Sequence, residues 1–162
     1  MIGDTDRPLF SFVIIADTHI TDEEGRVIVD SYQTGNNVAS VYCDLIERVS
    51  SMEPAFVVHL GDITHPTPNS PDYGNTALAF HKASETFSMP YYLVPGNHDV
   101  GEKIFPASPI SDQKISITKY NINLYEQHFG RQRFYFQHQE CLFIVINSML
   151  INSGLEEEQE QW

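Results

Sequence analysis

The chain has 162 residues, of which 41% are hydrophobic and 12% aromatic, enough for one folded domain with a buried core. Nine Lys and Arg stand against 22 Asp and Glu, a formal net charge of −13, so no basic stripe can release counterions from a phosphate backbone and nonspecific nucleic-acid binding is not expected. The apolar run at 10–16 is broken by Ser11, ends at Asp17 and lacks the basic flank of a signal peptide, so the chain reads as a cytoplasmic protein with no membrane partner.

Residues 10–16 form the first expected strand. A polar stretch with Gly25 and Gly35 follows. Asn37 is then placed to cap a helix with Val38, Val41, Tyr42, Leu45 and Val49 on one face, which Pro54 stops. Residues 55–60 read as the second strand. The segment 62–74 carries Pro66, Pro68 and Pro71 and is expected to be a stiff loop. A second helix is expected over 76–87, capped by Asn75, and a third strand over 91–94. Residues 100–115 read as loop, and 116–129 as an amphipathic helix (Ile117, Tyr120, Leu124, Phe129) closed by Gly130. The runs 134–137 and 142–147 then suggest a hairpin around His138-Gln139-Glu140. Ser153 and Glu156 make a capping-box signature, yet the chain stops at Trp162, so it reads as ending inside a helix. Cys43 and Cys141 form no spaced pair and are expected as core thiols.

Each of the three strands leads into a polar motif: Asp17-Thr18-His19, Gly61-Asp62 and Gly96-Asn97-His98-Asp99. Residues just past the carboxyl ends of parallel strands converge on one crevice, so a carboxylate, imidazole and amide cluster able to hold metal is expected. An Asp at a strand end is by itself an ordinary turn residue; the three motifs together carry the metal reading. Asp17 and His19 lie two apart, and an extended backbone there would aim both the same way. Mixed oxygen and nitrogen ligands suit manganese, iron or zinc better than calcium or magnesium. His59 falls inside the second strand and is expected as a hydrogen-bonded histidine. His65 fits the cleft and a plain loop equally, while His81, His128 and His138 are expected at solvated positions.

In this order, the blocks D-x-H, G-D and G-N-H-D resemble those of the calcineurin-like metallophosphoesterases, over residues 10–162. The resemblance implies a single α/β domain over 1–162, a β-sandwich of two mixed sheets flanked by helices in αββα layers. It also implies two divalent or trivalent metal ions (Mn, Fe or Zn) on Asp17, His19, Asp62 and Asn97, with Asp62 bridging. A metal-bridging hydroxide would then hydrolyse a phosphomonoester or phosphodiester. His98 is implied at the leaving oxygen, with Asp99 fixing its ring. The runs 61–66 and 96–101 look most like the cyclic-nucleotide phosphodiesterase and protein-phosphatase-like branches, which implies a small phosphoester or phosphoprotein as substrate. Members of the family continue to a G-H and a G-H-x-H block, and this sequence has neither. A missing C-terminal part is therefore expected, with at best one ion firmly held and self-association through an uncovered sheet face. The alternative is a non-catalytic fragment that binds metal or a partner chain without turnover.

Overall fold

The structure, a computed structural model, describes residues 9–21, 38–103 and 115–162, with backbone alone at 38–40. Asn37, the expected helix cap, and residues 104–114 of the expected loop lie outside the described residues. Strands β1 (Val13–Ile15), β2 (Val57–His59) and β3 (Tyr91–Leu93) form a parallel sheet in the order β1-β2-β3, with Ile15, His59 and Leu93 in register. All three residues of central β2 are buried, because a parallel strand is covered on both faces. All three strands end on the same side, so the three polar motifs leave the sheet together.

One face of this sheet is covered by helices α1 (Val38–Ser51) and α2 (Tyr73–Ser84). His59 and Leu93 point that way, and His59 lies 6.0 Å from the Phe80 ring. The buried stripe of α1 is Tyr42, Ile46 and Val49, whereas Val41, expected inward, is 56% exposed. Tyr42 stacks on Phe80 at 5.4 Å and its hydroxyl meets Ser84 Oγ at 2.9 Å in the interior. α2 starts ahead of the expected position 76, and Asn75 lies within it instead of capping it. The cause is tertiary: Tyr73 is buried and its hydroxyl donates to the Asp99 carbonyl at 3.2 Å, which holds the first turn in helical form.

The motif after β3 forms a short helix, α3 (Asn97–Val100). α4 (Lys119–Phe129) begins later than the expected 116, because Thr118 caps it by accepting the Asn121 N–H at 3.1 Å while Ser116 bridges to Glu102. Gly130 closes it at φ 91°, as its position suggested.

The second face of the parallel sheet receives an antiparallel hairpin, β4 (Phe134–His138) and β5 (Cys141–Val145). Aromatic rings fill the gap between the sheets. Tyr92 stacks on Phe136 at 3.7 Å, Phe136 on Phe143 at 4.8 Å, and Phe56 meets Phe143 edge-on at 5.0 Å. Each such pair contributes about 0.5–1.5 kcal/mol beyond burial. His138, expected in solvent, packs against Phe10 at 4.6 Å. The result is a layered α/β fold, helices on a parallel sheet on an antiparallel one, and the two sheets are separately parallel and antiparallel among the described residues. On the hairpin's outer face Tyr135, Leu142 and Ile144 are exposed.

Both cysteines are exposed, which corrects the expectation of core thiols. Cys43 follows Tyr42 on α1 and is rotated off the buried stripe, and Cys141 sits at the turn end of the hairpin, where packing between the sheets runs out. No described helix is long and apolar enough to cross a membrane.

Beyond β5 the chain is fastened by Asn147, which is fully buried and hydrogen-bonded through both its side chain and its backbone. Its side chain donates to Gln132 Oε1 at 2.6 Å and accepts the Met149 N–H at 2.9 Å. Its backbone exchanges bonds of 2.8 and 3.1 Å with the Gln159 side chain on α5 (Glu157–Gln161). Ser153 Oγ reaches the Glu156 carboxylate at 3.5 Å and accepts the Leu155 N–H at 3.1 Å, but the expected capping box is absent, because α5 starts at Glu157 and Glu156 rather than Ser153 is its N-cap. Asn147→Ala is expected to cost about 2 kcal/mol, read from the urea midpoint, because Gln132 and the Met149 N–H lose buried partners.

Candidate metal centre

The loops leaving β1 and β2 keep pairing after the strands end. Asp17 N–H donates to Gly61 O at 3.0 Å, His19 N–H to Asp62 O at 3.0 Å, Ile20 N–H to Ile63 O at 2.9 Å, and His65 N–H to Ile20 O at 2.8 Å. This ladder sets Asp17 and His19 beside Asp62. The extended backbone expected at 17–19 is absent: Asp17 and His19 have φ of 57° and 42°, and Asp62 has 53°. The side chains converge because the backbone is left-handed and cross-bonded. Of the six non-glycine residues with positive φ among those described, three are Asp17, His19 and Asp62. Each such residue costs on the order of 1 kcal/mol, and strain of this kind concentrates where function holds it.

His19 Nε2 lies 3.9 Å from Asp17 Oδ1 and 3.9 Å from Asp62 Oδ2. The ligand atoms of these three residues all fall within 4.8 Å of one another, an arrangement that can close on a cation. Asp62 is oriented by α3, whose His98 N–H donates to Oδ1 at 2.9 Å, leaving Oδ2 turned to His19. Asn97 Nδ2 donates to Glu102 Oε1 at 3.2 Å, so its amide oxygen is the end left to ligate. The His98 ring lies 4.7 Å from that of His19, and His98 Nδ1 is buried without a hydrogen-bond partner. A second grouping, His19, His65 and His98, also has its ligand atoms within 4.8 Å of one another. His65 thus belongs to the cleft. The sequence left it undecided because its placement depends on pairing between two loops.

Asp99 does not fix the His98 ring. Its carboxylate is fully buried and accepts three backbone N–H groups, from Asp62 at 2.7 Å, Ile63 at 3.0 Å and Gly96 at 2.8 Å. It ties the loop after β2 to the loop after β3, and so sets where Asp62 stands. Burial pushes its carboxyl up to about 7, while the backbone N–H groups of Gly96, Ile63 and Asp62 pull it down and the Asp62 charge pushes it up. Gly61, at φ 105°, is required at this junction: a Cβ there would run into the backbone of Gly96.

Burial lowers the pKa of His19, with the His98 ring opposing a proton and the two carboxylates favouring one. His65 is lowered by burial, then by His98 and His19. Both therefore favour neutral imidazole, the form that ligates metal. His59 is the hydrogen-bonded histidine its strand position suggested. Its Nδ1 accepts the Gly61 N–H at 3.1 Å, so Nε2 carries the proton and donates to Thr18 Oγ1 at 2.8 Å, which in turn donates to Ile63 O at 2.9 Å. Burial, with His19 nearby, lowers its pKa from 6.5 to about 4. The unfolded chain then binds the extra proton between pH 6.5 and about 4, so the stability His59 contributes is intact above 6.5 and lost on acidification across that window. Asp99 has the opposite sign over 3.8 to about 7, because the folded state holds its proton more tightly. The difference between wild type and His59→Gln isolates the histidine. Its loss is expected to remove about 1.4 kcal/mol per pH unit of acid destabilisation, measured by urea unfolding between pH 6.5 and 4.5.

Residues 10–159 match the calcineurin-like phosphoesterase family. The chain belongs to that family. The three motifs gathered at the strand ends of this calcineurin-like phosphoesterase all lie within the matched residues. Among solved structures it is similar to purple acid phosphatase PPD1 from yellow lupin, at 16% identity and a TM-score of 0.57, over 94% of this chain and 27% of that one. That likeness is of fold. It is also similar to a dimetal phosphatase from Danio rerio, at 26% identity and a TM-score of 0.45, over 57% of this chain and 30% of that one. The chain thus spans 27% and 30% of the lengths of these two solved proteins. No curated protein matches it. The residues present fit a metal ion by their own chemistry. Two carboxylates and an imidazole converge on one point, and a buried His98 nitrogen lacks a partner beside them.

Proposed function

We propose that this chain hydrolyses phosphoric esters at a metal centre held by Asp17, His19, Asp62 and Asn97. The observation that carries the reading is the convergence of Asp17, His19 and Asp62 within 4.8 Å, on backbone that stays left-handed to achieve it. Asp17 and His19 would hold a first ion and Asn97 a second, with Asp62 between them. Mixed carboxylate, amide and imidazole donors suit manganese, iron or zinc. Bound cations would polarise the phosphoryl oxygens and supply activated water near neutral pH. They would also invert the local potential of a chain whose formal net charge is −13.

His98 would stand at the leaving oxygen. Its backbone N–H holds Asp62 and its ring faces the same crevice, so one residue both orients a ligand and can move a proton. Asp99 positions these groups from behind without touching substrate. The substrate class is a small phosphoester or a phosphoprotein, since nine Lys and Arg give little hold on a nucleic acid. Two exposed, unpaired cysteines agree with a reducing, cytoplasmic setting. A second reading, metal binding without turnover, rests on the same convergence of Asp17, His19 and Asp62, which can hold an ion whether or not an ester is cleaved beside it.

The test is hydrolysis of p-nitrophenyl phosphate and its bis ester by manganese-loaded protein. Turnover is expected on one or both, lost on chelation and restored by added manganese. Bound metal with no turnover on either ester supports the second reading; turnover that survives chelation contradicts both.

A further inference from the structure

We propose that His19, His65 and His98 form a second metal seat made of imidazole alone, which shares His19 with the carboxylate-rich seat and takes zinc. The grouping of Asp17, His19 and Asp62 contains neither His65 nor His98, and the imidazole grouping contains no carboxylate. The fold builds it from three separate segments. His65 is delivered by the loop ladder, through its N–H bond to Ile20 O at 2.8 Å and the bridge between Ile20 and Thr64. His98 is delivered by α3, and His19 by the loop after β1.

The rings meet at centroid distances of 4.7 Å for His19 and His98, 5.7 Å for His65 and His98, and 6.2 Å for His19 and His65. Zinc bound to nitrogens at about 2.0–2.1 Å with tetrahedral angles places them roughly 3.3 Å apart. Closing from 4.8 Å needs only small ring rotations about a broad terminal torsion. The buried, unpartnered Nδ1 of His98 shows that this ring lacks a protein partner that metal binding would displace there.

Manganese separates the seats, because zinc also suits the mixed donors of the first. Three neutral imidazoles suit zinc, copper and nickel, whereas manganese and magnesium favour carboxylate oxygen. Three protein nitrogens also leave a fourth position open. An ion here engages the His98 ring, so on the hydrolase reading zinc opposes turnover. The seat itself does not depend on that reading.

The experiment combines zinc titration by calorimetry with electron paramagnetic resonance of bound copper, on wild type, Asp17→Asn and His65→Gln. In the wild type three nitrogens are expected to couple to copper. Asp17→Asn should lose manganese yet keep zinc, while His65→Gln should weaken zinc by about tenfold or more and drop one coupled nitrogen. Fewer than three coupled nitrogens in the wild type overturns the proposal, even if the variant fails to fold. So does a folded His65→Gln whose bound copper keeps the three coupled nitrogens of the wild type. If manganese fails to bind the wild type while copper still shows three nitrogens, the carboxylate seat falls and this one stands.

Discussion

Replacing Asp62 with asparagine is expected to remove manganese binding and ester hydrolysis together while leaving the fold intact. The substitution is nearly isosteric. An asparagine oxygen can still accept the His98 N–H that Oδ1 accepts at 2.9 Å. The amide NH2 then falls where Oδ2 now faces His19 Nε2 at 3.9 Å, so a donor replaces the lone pair that a cation needs. Removing a partner that merely hydrogen-bonds to a ligand typically weakens metal binding 10- to 100-fold, so the loss of a ligand should cost about 100-fold or more. The checks are the manganese dissociation constant and kcat/KM for p-nitrophenyl phosphate, with the urea midpoint as control. Manganese affinity equal to wild type would remove Asp62 from the centre.

Asp99→Ala is expected to produce the largest loss of stability, about 3–5 kcal/mol by urea unfolding, because three backbone N–H groups lose their acceptor in the interior. Such a loss is a large fraction of the roughly 5–15 kcal/mol that holds a domain folded. Asp99→Asn should fall between wild type and alanine, since its one oxygen serves only part of that set and its NH2 confronts N–H donors. The same variants should weaken manganese, as Asp62 takes its place from this carboxylate through its own N–H. A drop below about 1 kcal/mol for alanine would show that water satisfies those donors and that Asp99 does not anchor the loops.

Much of this centre is legible in the sequence because strand ends are. Apolar runs that stop abruptly at Asp17, Gly61 and Gly96 mark where a parallel sheet releases its loops, and order along the chain then brings the loops together. What the sequence conceals is how the loops turn. Alternation along an extended chain suggested that Asp17 and His19 point the same way; the side chains do converge, but through left-handed backbone pinned by the neighbouring loop. The resemblance implied Asp99 on the His98 ring, whereas its buried carboxylate is taken up by backbone N–H groups instead. His65 depends wholly on inter-loop pairing, which no local pattern encodes. Helix existence was likewise plain while helix ends were not. Tyr73 advances the start of α2 through a bond to Asp99, and Thr118, by capping α4, moves its start past the expected 116. The exposure of Cys43 follows from a stripe centred on Ile46 rather than Val41, a rotation that composition alone does not reveal.

Equilibrium dialysis against manganese, on wild type and Asp17→Asn side by side, bears most directly on whether these side chains form a cation site. The wild type is expected to retain bound manganese after free metal is removed, and the variant to lose it while keeping the same circular dichroism. Wild-type protein that retains no manganese, or a variant that retains as much, would contradict the centre on which the hydrolase reading rests.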